Sequence, residues 1–266
     1  MLKKLYKHEF YSLFRNLFPI YAALGLFAVT CKLSMLIDID NYIFEAVTGF
    51  SVTFYIISIL AMFIVGMVII VMRFYKNLLS SEGYLTFSLP FTATQHITCK
   101  LICAVSMISV NLIAVILSLL IVGAGTDAMS EIFNTFKLMF NDMFAELSVF
   151  NIILFILQII VILLLSAFQL IVMFYAAMSI GQQYKSKIGG SVLAYIVLYV
   201  ASEIFSTVAV MPFMLIYGND FENYLFSAGI NAVQIFLIIP MVLSLILITA
   251  YYIITCYFLG KKLNLE

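Results

Sequence analysis

Few side chains in this sequence could do chemistry, and the most conspicuous is a glutamate inside an apolar run. Glu203 follows VLYVAS and precedes IFSTVAV. Counted from Ser191, it lies ~18 Å into the run, just past the middle of a bilayer. An ionised carboxylate there is costly and usually faces the interior of a helix bundle. It therefore either lines a pathway, where it could take part in proton transfer, or fixes helix packing. If the run is broken near Met211-Pro212, Glu203 lies close to the outer boundary instead.

Carboxamide side chains form a second polar group within apolar runs. Asn151, Gln158 and Gln169 are separated by 7 and 11 residues, and at ~100° per residue these spacings return to nearly the same side of a helix. Amides in transmembrane helices commonly hydrogen-bond to neighbouring helices. Asn111, with Ser118, has the same character. For all of them the two readings are helix packing and contact with a molecule in a pathway.

Motifs for other kinds of chemistry are missing from the sequence. It contains no GxxxxGK[ST] phosphate-binding loop, no HExxH and no GxSxG. The two histidines, His8 and His96, are far apart, and the acids form no close pair within an apolar run. The cysteines form no CxxC pair: Cys31, Cys99, Cys103 and Cys256. We therefore expect no metal, no bound cofactor, no nucleic-acid partner and no catalytic activity of the chain's own.

The elements that position these residues are six apolar runs. Hydrophobic residues make up 65% of the 266 and charged residues 10%, with a mean hydropathy of +1.18. A soluble domain of this size could not bury so much apolar surface. A bilayer core of ~30 Å needs about 20 apolar residues of helix, and six runs qualify: about 17–37, 51–72, 97–122, 152–177, 191–216 and 232–259. We predict a single all-α polytopic membrane domain over residues 1–266.

The positive charges predict the orientation of these spans. Eleven of the 13 Lys and Arg residues fall on one side of the predicted membrane, and Lys32 and Lys137 fall on the other. The side rich in Lys and Arg is normally cytoplasmic. We therefore expect both ends of the sequence to face the cytoplasm of a cell whose membrane holds the chain.

The first 17 residues have the pattern of an amphipathic helix. The apolar side chains of residues 2–17 recur at helical spacing, and the cations Lys3, Lys4, Lys7 and Arg15 lie elsewhere around the helix. Such a helix lies in the membrane interface with its cations near anionic headgroups. Pro19 suits the first turn of a new helix. We therefore predict an interfacial helix over 2–17, followed by a separate first span.

The longest polar passage on the cytoplasmic side is 73–100, RFYKNLLSSEGYLTFSLPFTATQHITCK. Its 73–96 part connects the second and third spans and offers apolar and aromatic groups just outside the membrane. The residues that could dock on another protein are Glu82, Gly83, Tyr84, Leu85, Phe87, Leu89 and Pro90. Alternatively, the aromatic rings simply rest among lipid headgroups.

Three segments of the chain resemble a known family. LYKHEFYSLFRNLFPIY resembles the start of six-span permeases of the ATP-binding-cassette (ABC) type-2 family found in Gram-positive bacteria. The residues that carry this resemblance are Lys7, Glu9, Phe10, Arg15, Pro19 and Tyr21. RFYKNLLSSEGYLTFSLP resembles that group's loop after the second span, and the C-terminal KKLNLE resembles its usual ending.

The resemblance implies the transmembrane subunit of an ABC exporter in a bacterial plasma membrane. The 73–96 loop would then carry a coupling helix that docks on a separate ATPase subunit, and short re-entrant helices would lie between the fifth and sixth spans. Two six-span units build one pathway in that family, so the partner would be a second copy or a sister permease. The alternative is a non-transport membrane protein, such as a sensor or assembly factor, that binds a soluble partner through 73–100.

Overall fold

The computed structural model of the chain is built from α-helices. It describes residues 2–36, 42–80, 83, 88, 92–125, 130–131, 134–135, 137–138, 149–217 and 221–261, and these residues contain no β-strand. The helices in chain order are α1 (Leu2–Leu36), α2 (Tyr42–Phe74), α3 (Ala93–Gly123), α4 (Val149–Gly181), α5 (Lys187–Tyr217) and α6 (Phe221–Lys261). A π-helical turn, Tyr75–Leu79, directly follows α2.

Each of these helices is long and apolar enough to cross a membrane. The shortest contain 31 residues, or ~46 Å at the rise of an α-helix, which exceeds the ~30 Å hydrocarbon core. The predicted all-α fold with six membrane-spanning helices is confirmed. The cytoplasmic location of the two ends stays a prediction from the charges.

Large apolar side chains cover the outer faces of the helices, as lipid requires. Ile64 of α2 is 64% exposed, Ile113 of α3 is 56% exposed and Ile253 of α6 is 65% exposed. A soluble protein rarely leaves such rows of side chains in contact with water. Because hydrocarbon is as apolar as these side chains, their exposure has no comparable cost in a bilayer.

The predicted boundary between an interfacial helix and the first span is wrong, because α1 runs unbroken from Leu2 to Leu36 with Pro19 inside it. A proline removes one backbone hydrogen bond of the helix, and the helix continues through that loss here. The amphipathic division is present. Lys3, Lys4 and Lys7 are exposed, whereas Leu13 is 4% exposed. At ~52 Å, α1 is longer than the bilayer core is thick, so one end extends beyond it.

Contacts divide the chain into two compact units. The first comprises Met1–Arg73 and Ile102–Met143, and it therefore contains α1, most of α2 and most of α3. Its apolar core is formed by Leu24, Ala28 and Cys31 of α1 with Tyr55 and Met62 of α2. Side-chain hydrogen bonds link its helices, because a polar group inside lipid has few other partners. One example joins the Tyr55 hydroxyl to Ser118 Oγ at 2.9 Å.

The second unit comprises Phe74–Leu101 and Phe144–Glu266. Within it α4 is the central helix and packs against both α5 and α6. The ring of Phe74 stacks on the fully buried ring of Tyr175 in α4, with centroids 3.7 Å apart. Phe74, the second residue of the 73–96 loop, is therefore packed against α4.

A short turn joins α4 to α5. Ser186 caps α5, since its Oγ accepts a hydrogen bond from the Gly189 backbone N–H at 3.4 Å. A Cβ atom on Gly181 would lie 2.5 Å from the Ser191 backbone nitrogen. The ends of the two helices therefore approach closely only because residue 181 has no side chain.

The region between the last two spans differs from the re-entrant helices that the resemblance implied. α5 continues through Pro212 to Tyr217, and α6 already begins at Phe221. Two long helices thus occupy the described part of this region. Because α5 is unbroken at Pro212, the condition that would move Glu203 to the outer boundary is not met.

Candidate functional site

An open groove of about 180 Å³ lies between α4 and α5 and contains two of the predicted site residues, Gln169 and Glu203. The α4 side of the groove is formed by Ser166, Gln169, Leu170 and Met173, and the α5 side by Tyr195, Tyr199, Ser202 and Glu203. All of these residues belong to the second unit. The groove combines one carboxylate and one carboxamide with two tyrosine rings and apolar side chains.

Both polar groups lie near the middle of their helices. Glu203 is ~24 Å along the helix axis from Lys187, where α5 begins, and Gln169 is ~18 Å from Gly181, where α4 ends. The short turn between α4 and α5 holds these two helix ends together. Glu203 and Gln169 are therefore at similar depth, well inside the thickness of a bilayer.

The side chains of Glu203 and Gln169 have no polar partner among the described residues. No hydrogen bond or ion pair joins the Glu203 carboxylate or the Gln169 carboxamide to any other described residue, and the Glu203 side chain is exposed. By contrast, Ser166 Oγ donates to the Leu163 carbonyl at 2.9 Å, and Ser202 Oγ donates to the Tyr199 carbonyl at 2.7 Å. Each serine hydroxyl thus donates a hydrogen bond to a backbone carbonyl of its own helix. The side chains of Glu203 and Gln169, in contrast, remain available to a ligand.

Aromatic rings form the other wall of the groove. Tyr195 stacks on Phe174 of α4 with centroids 4.6 Å apart and an angle of 14° between the rings. Tyr199 follows one helical turn later, and its ring centroid is 6.5 Å from that of Tyr195. Glu203 is one further turn along the same side of α5, because side chains four residues apart are neighbours on a helix.

The three carboxamide residues predicted to share one side of α4, Asn151, Gln158 and Gln169, lie in two different surroundings. Gln158 is 8% exposed, and its Nε2 donates to the Gln234 carbonyl of α6 at 3.2 Å. Gln234 in turn donates from Nε2 to the Asn151 carbonyl at 2.9 Å. Asn151 and Gln158 thus lie at the α4–α6 contact, whereas Gln169 lies in the groove beside α5.

Asn111 lies away from the groove, in the first unit. It is 2% exposed, and its Oδ1 accepts a hydrogen bond of 2.6 Å from the Tyr21 hydroxyl of α1. The space beside it is occupied by α2, because a Cβ atom on Gly66 would lie 2.8 Å from Asn111 Nδ2. These contacts give Asn111 a packing position between helices.

Most of the predicted coupling residues fall outside the described residues: Glu82, Tyr84, Leu85, Phe87, Leu89 and Pro90. Gly83 is described and buried, and its N–H donates to the Ser80 carbonyl at 2.8 Å. At the first residue of the 73–96 loop, Arg73 donates from Nε to Glu9 Oε2 at 2.8 Å and from Nη1 to Ser12 Oγ at 2.6 Å. The coupling function of the loop stays a prediction.

Sequence reasoning missed the two tyrosines of the groove. It also missed the ion pair between Glu9 and Arg73, at the start of the 73–96 loop. Tyr195 and Tyr199 precede Glu203 by eight and four residues, so helical periodicity from the acid could have found them. The pairing of Glu9 with Arg73 has no such local signal, since 64 residues separate them. Among the described residues, no group of three or more His, Cys, Asp or Glu side chains could hold a metal ion.

These features define the chain as a polytopic membrane protein with an open polar groove at mid-depth. Comparison with protein-family models, with curated proteins and with solved structures found no match. The family resemblance of the segments 5–21 and 73–90 and of the C-terminal KKLNLE therefore rests on their residues alone.

Proposed function

We propose that this chain is the permease subunit of an ABC exporter, which moves a substrate across a bacterial cell membrane with ATP hydrolysed by a separate subunit. The observation that carries the transport part is the groove between α4 and α5. A carboxylate and a carboxamide without partners in the described chain are costly inside a bilayer, and such residues mark substrate or ion pathways. The dependence on an ATPase is supported by the resemblance and by the absence of a phosphate-binding loop from the sequence.

The contacts of Arg73 and Phe74 would transmit a movement of the 73–96 loop to α1 and α4. Arg73 is attached to α1 through Glu9 and Ser12, and the next residue, Phe74, stacks on Tyr175 of α4. An ATPase that moved the 73–96 loop would therefore act on both helices. α4 also forms one wall of the groove, so the movement would alter access to Gln169 and Glu203. The functional pathway would be completed by a second copy or a sister permease.

The proposal is tested by photo-crosslinking in cells. A photoreactive amino acid is placed at Ser88, an exposed loop residue. In a matched variant it is placed at Leu138, an exposed residue next to Lys137, between the third and fourth predicted spans and on the side predicted to lie outside the cell. We expect a crosslink from position 88, and none from position 138, to a protein that mass spectrometry identifies as a P-loop ATPase. If position 88 captures only proteins without a phosphate-binding loop, the non-transport alternative is favoured and the proposal fails.

A further inference from the structure

We propose that the groove between α4 and α5 binds organic cations, specifically amphiphiles with an ammonium head and an apolar tail that enter from the bilayer. As a statement of the transported substrate class it rests on the proposed function. Binding itself needs no ATPase and can be measured on the chain alone.

The charge of the groove favours a cation. Glu203 is the only carboxylic acid among its lining residues, which include no Lys, Arg or His. A carboxylate inside a bilayer is stabilised when an opposite charge lies beside it, and an anionic ligand would add a second uncompensated charge. No cationic residue in the described chain pairs with Glu203. A ligand that brings its own positive charge supplies the missing partner.

The aromatic wall has the chemistry that recognises an ammonium group. A cation over the face of a tyrosine ring is attracted by the electrons of the ring, most strongly where water is excluded. Tyr199 and Tyr195 lie one and two helical turns from Glu203. The Gln169 carboxamide oxygen on the opposite wall is an acceptor that can face a positive head group, whether or not that group carries an N–H. The carboxylate, the two rings and the amide thus line one groove.

The size of the groove indicates which part of the ligand it holds. Pockets that enclose a drug-sized molecule measure roughly 300–1,000 Å³, and this groove measures about 180 Å³. It can hold a head group but not a whole amphiphile. Beside it, Ile196 and Val200 of α5 are 55% and 47% exposed. An apolar tail can lie along these side chains and remain in contact with lipid.

Binding is measured with a fluorescent pair that differs in charge. The chain contains no tryptophan, so Ile196→Trp introduces a single energy donor beside the groove. The purified variant is placed in phosphatidylcholine nanodiscs and titrated with trimethylammonium-diphenylhexatriene or with the propionate of the same fluorophore. We expect saturable energy transfer to the cationic probe above the partitioning background, and none to the anionic probe.

Four variants in this background test the assignment. We expect Glu203→Gln to weaken binding of the cationic probe at least about tenfold, which corresponds to ~1.4 kcal/mol, and Tyr199→Leu to weaken it severalfold. Tyr199→Phe keeps the ring and should bind nearly as the parent does. Ile204→Ala is the matched control, since Ile204 is exposed next to Glu203 and does not line the groove. A circular-dichroism melt checks that each variant is folded.

The proposal is overturned if Glu203→Gln binds the cationic probe as tightly as the parent, or if both probes bind equally. It is also overturned if titration with the cationic probe gives no saturable energy transfer. Crosslinking in the nanodisc would then reveal whether a second copy of the chain covers Glu203. Loss of cation binding with an intact ATPase complex would refute only this inference. Cation binding by a chain that never engages an ATPase would refute only the proposed function.

Discussion

Arg73 Nε lies 2.8 Å from Glu9 Oε2, so an ion pair joins the last turn of α2 to the amphipathic part of α1. The two side chains are only 17% and 13% exposed, and Ser12 Oγ accepts a further hydrogen bond from Arg73 at 2.6 Å. Both residues belong to the segments that resemble ABC permeases. The structure therefore connects the two segments by a contact that neither sequence segment indicates by itself.

The first prediction concerns this ion pair. Replacing Glu9 or Arg73 by Gln removes a charge-assisted hydrogen bond and leaves a partly buried charge, so we expect each change to lower the free energy of unfolding by about 1–3 kcal/mol. The double variant should lose less than the sum of the two, with a coupling of ~1–2 kcal/mol. Unfolding in mixed micelles, followed by circular dichroism, measures these values.

Arg15→Gln is the matched control for the ion pair, because Arg15 is exposed on the same helix. It should change the free energy of unfolding by no more than ~0.5 kcal/mol. Strict additivity of the Glu9 and Arg73 substitutions would show that the two side chains do not interact.

The second prediction concerns the close approach of α2 to Asn111. In Gly66→Ala the new methyl group would lie 2.8 Å from Asn111 Nδ2, and Asn111 is buried and held by Tyr21. We expect a loss of about 1–3 kcal/mol in the free energy of unfolding, since a packed polar contact must shift.

Gly49→Ala, in the same helix, is the control for Gly66→Ala, because nothing lies within 4 Å of the position that its methyl group would take. It should be neutral or should stabilise α2 by up to ~1 kcal/mol through helix propensity. Equal effects of the two substitutions would rule out a tight α2–α3 contact at residue 66.

The third prediction concerns the turn between α4 and α5. A Cβ atom on Gly181 would lie 2.5 Å from the Ser191 backbone nitrogen and 2.6 Å from its Cα atom. Because backbone atoms cannot rotate away, Gly181→Ala must separate the two helix ends. We expect it to cost more than Gly66→Ala, about 3 kcal/mol, measured in the same unfolding assay.

Gly260→Ala is the corresponding control, since nothing lies within 4 Å of its methyl position in α6. If Gly181→Ala melts at the same temperature as Gly260→Ala, the close approach of α4 to α5 is absent in the protein. The groove that depends on these two helices would then have a different shape.

Composition and periodicity predict most of the fold. Six apolar runs predict six helices, because lipid offers no other partner for backbone N–H and C=O groups. The helix ends are less predictable, since α1 continues through Pro19 and α6 begins at Phe221 rather than near residue 232. Those ends depend on polar sequence that can be helical outside the hydrocarbon, which a hydropathy count does not detect.

The candidate site is only partly predictable. The cost of a charge in lipid makes Glu203 conspicuous from the sequence, and Gln169 follows from the amide spacing. That Gln169 faces the α5 groove while Gln158 faces α6 could not be predicted. Both amides lie on one side of α4, and only the packing of its two neighbours separates their surroundings.

The proposed function depends above all on the 73–96 loop, which would couple a separate ATPase to the membrane helices. ATP turnover measures this coupling in proteoliposomes that contain the chain and the P-loop ATPase that crosslinking from position 88 is expected to identify. We expect the parent chain to alter turnover relative to the ATPase alone. Phe87→Asp and Glu82→Arg should abolish that effect, whereas Leu138→Asp, in the segment predicted to lie outside, should retain it. Turnover that is the same with the parent chain, with Phe87→Asp and with no chain would contradict the coupling role of the loop.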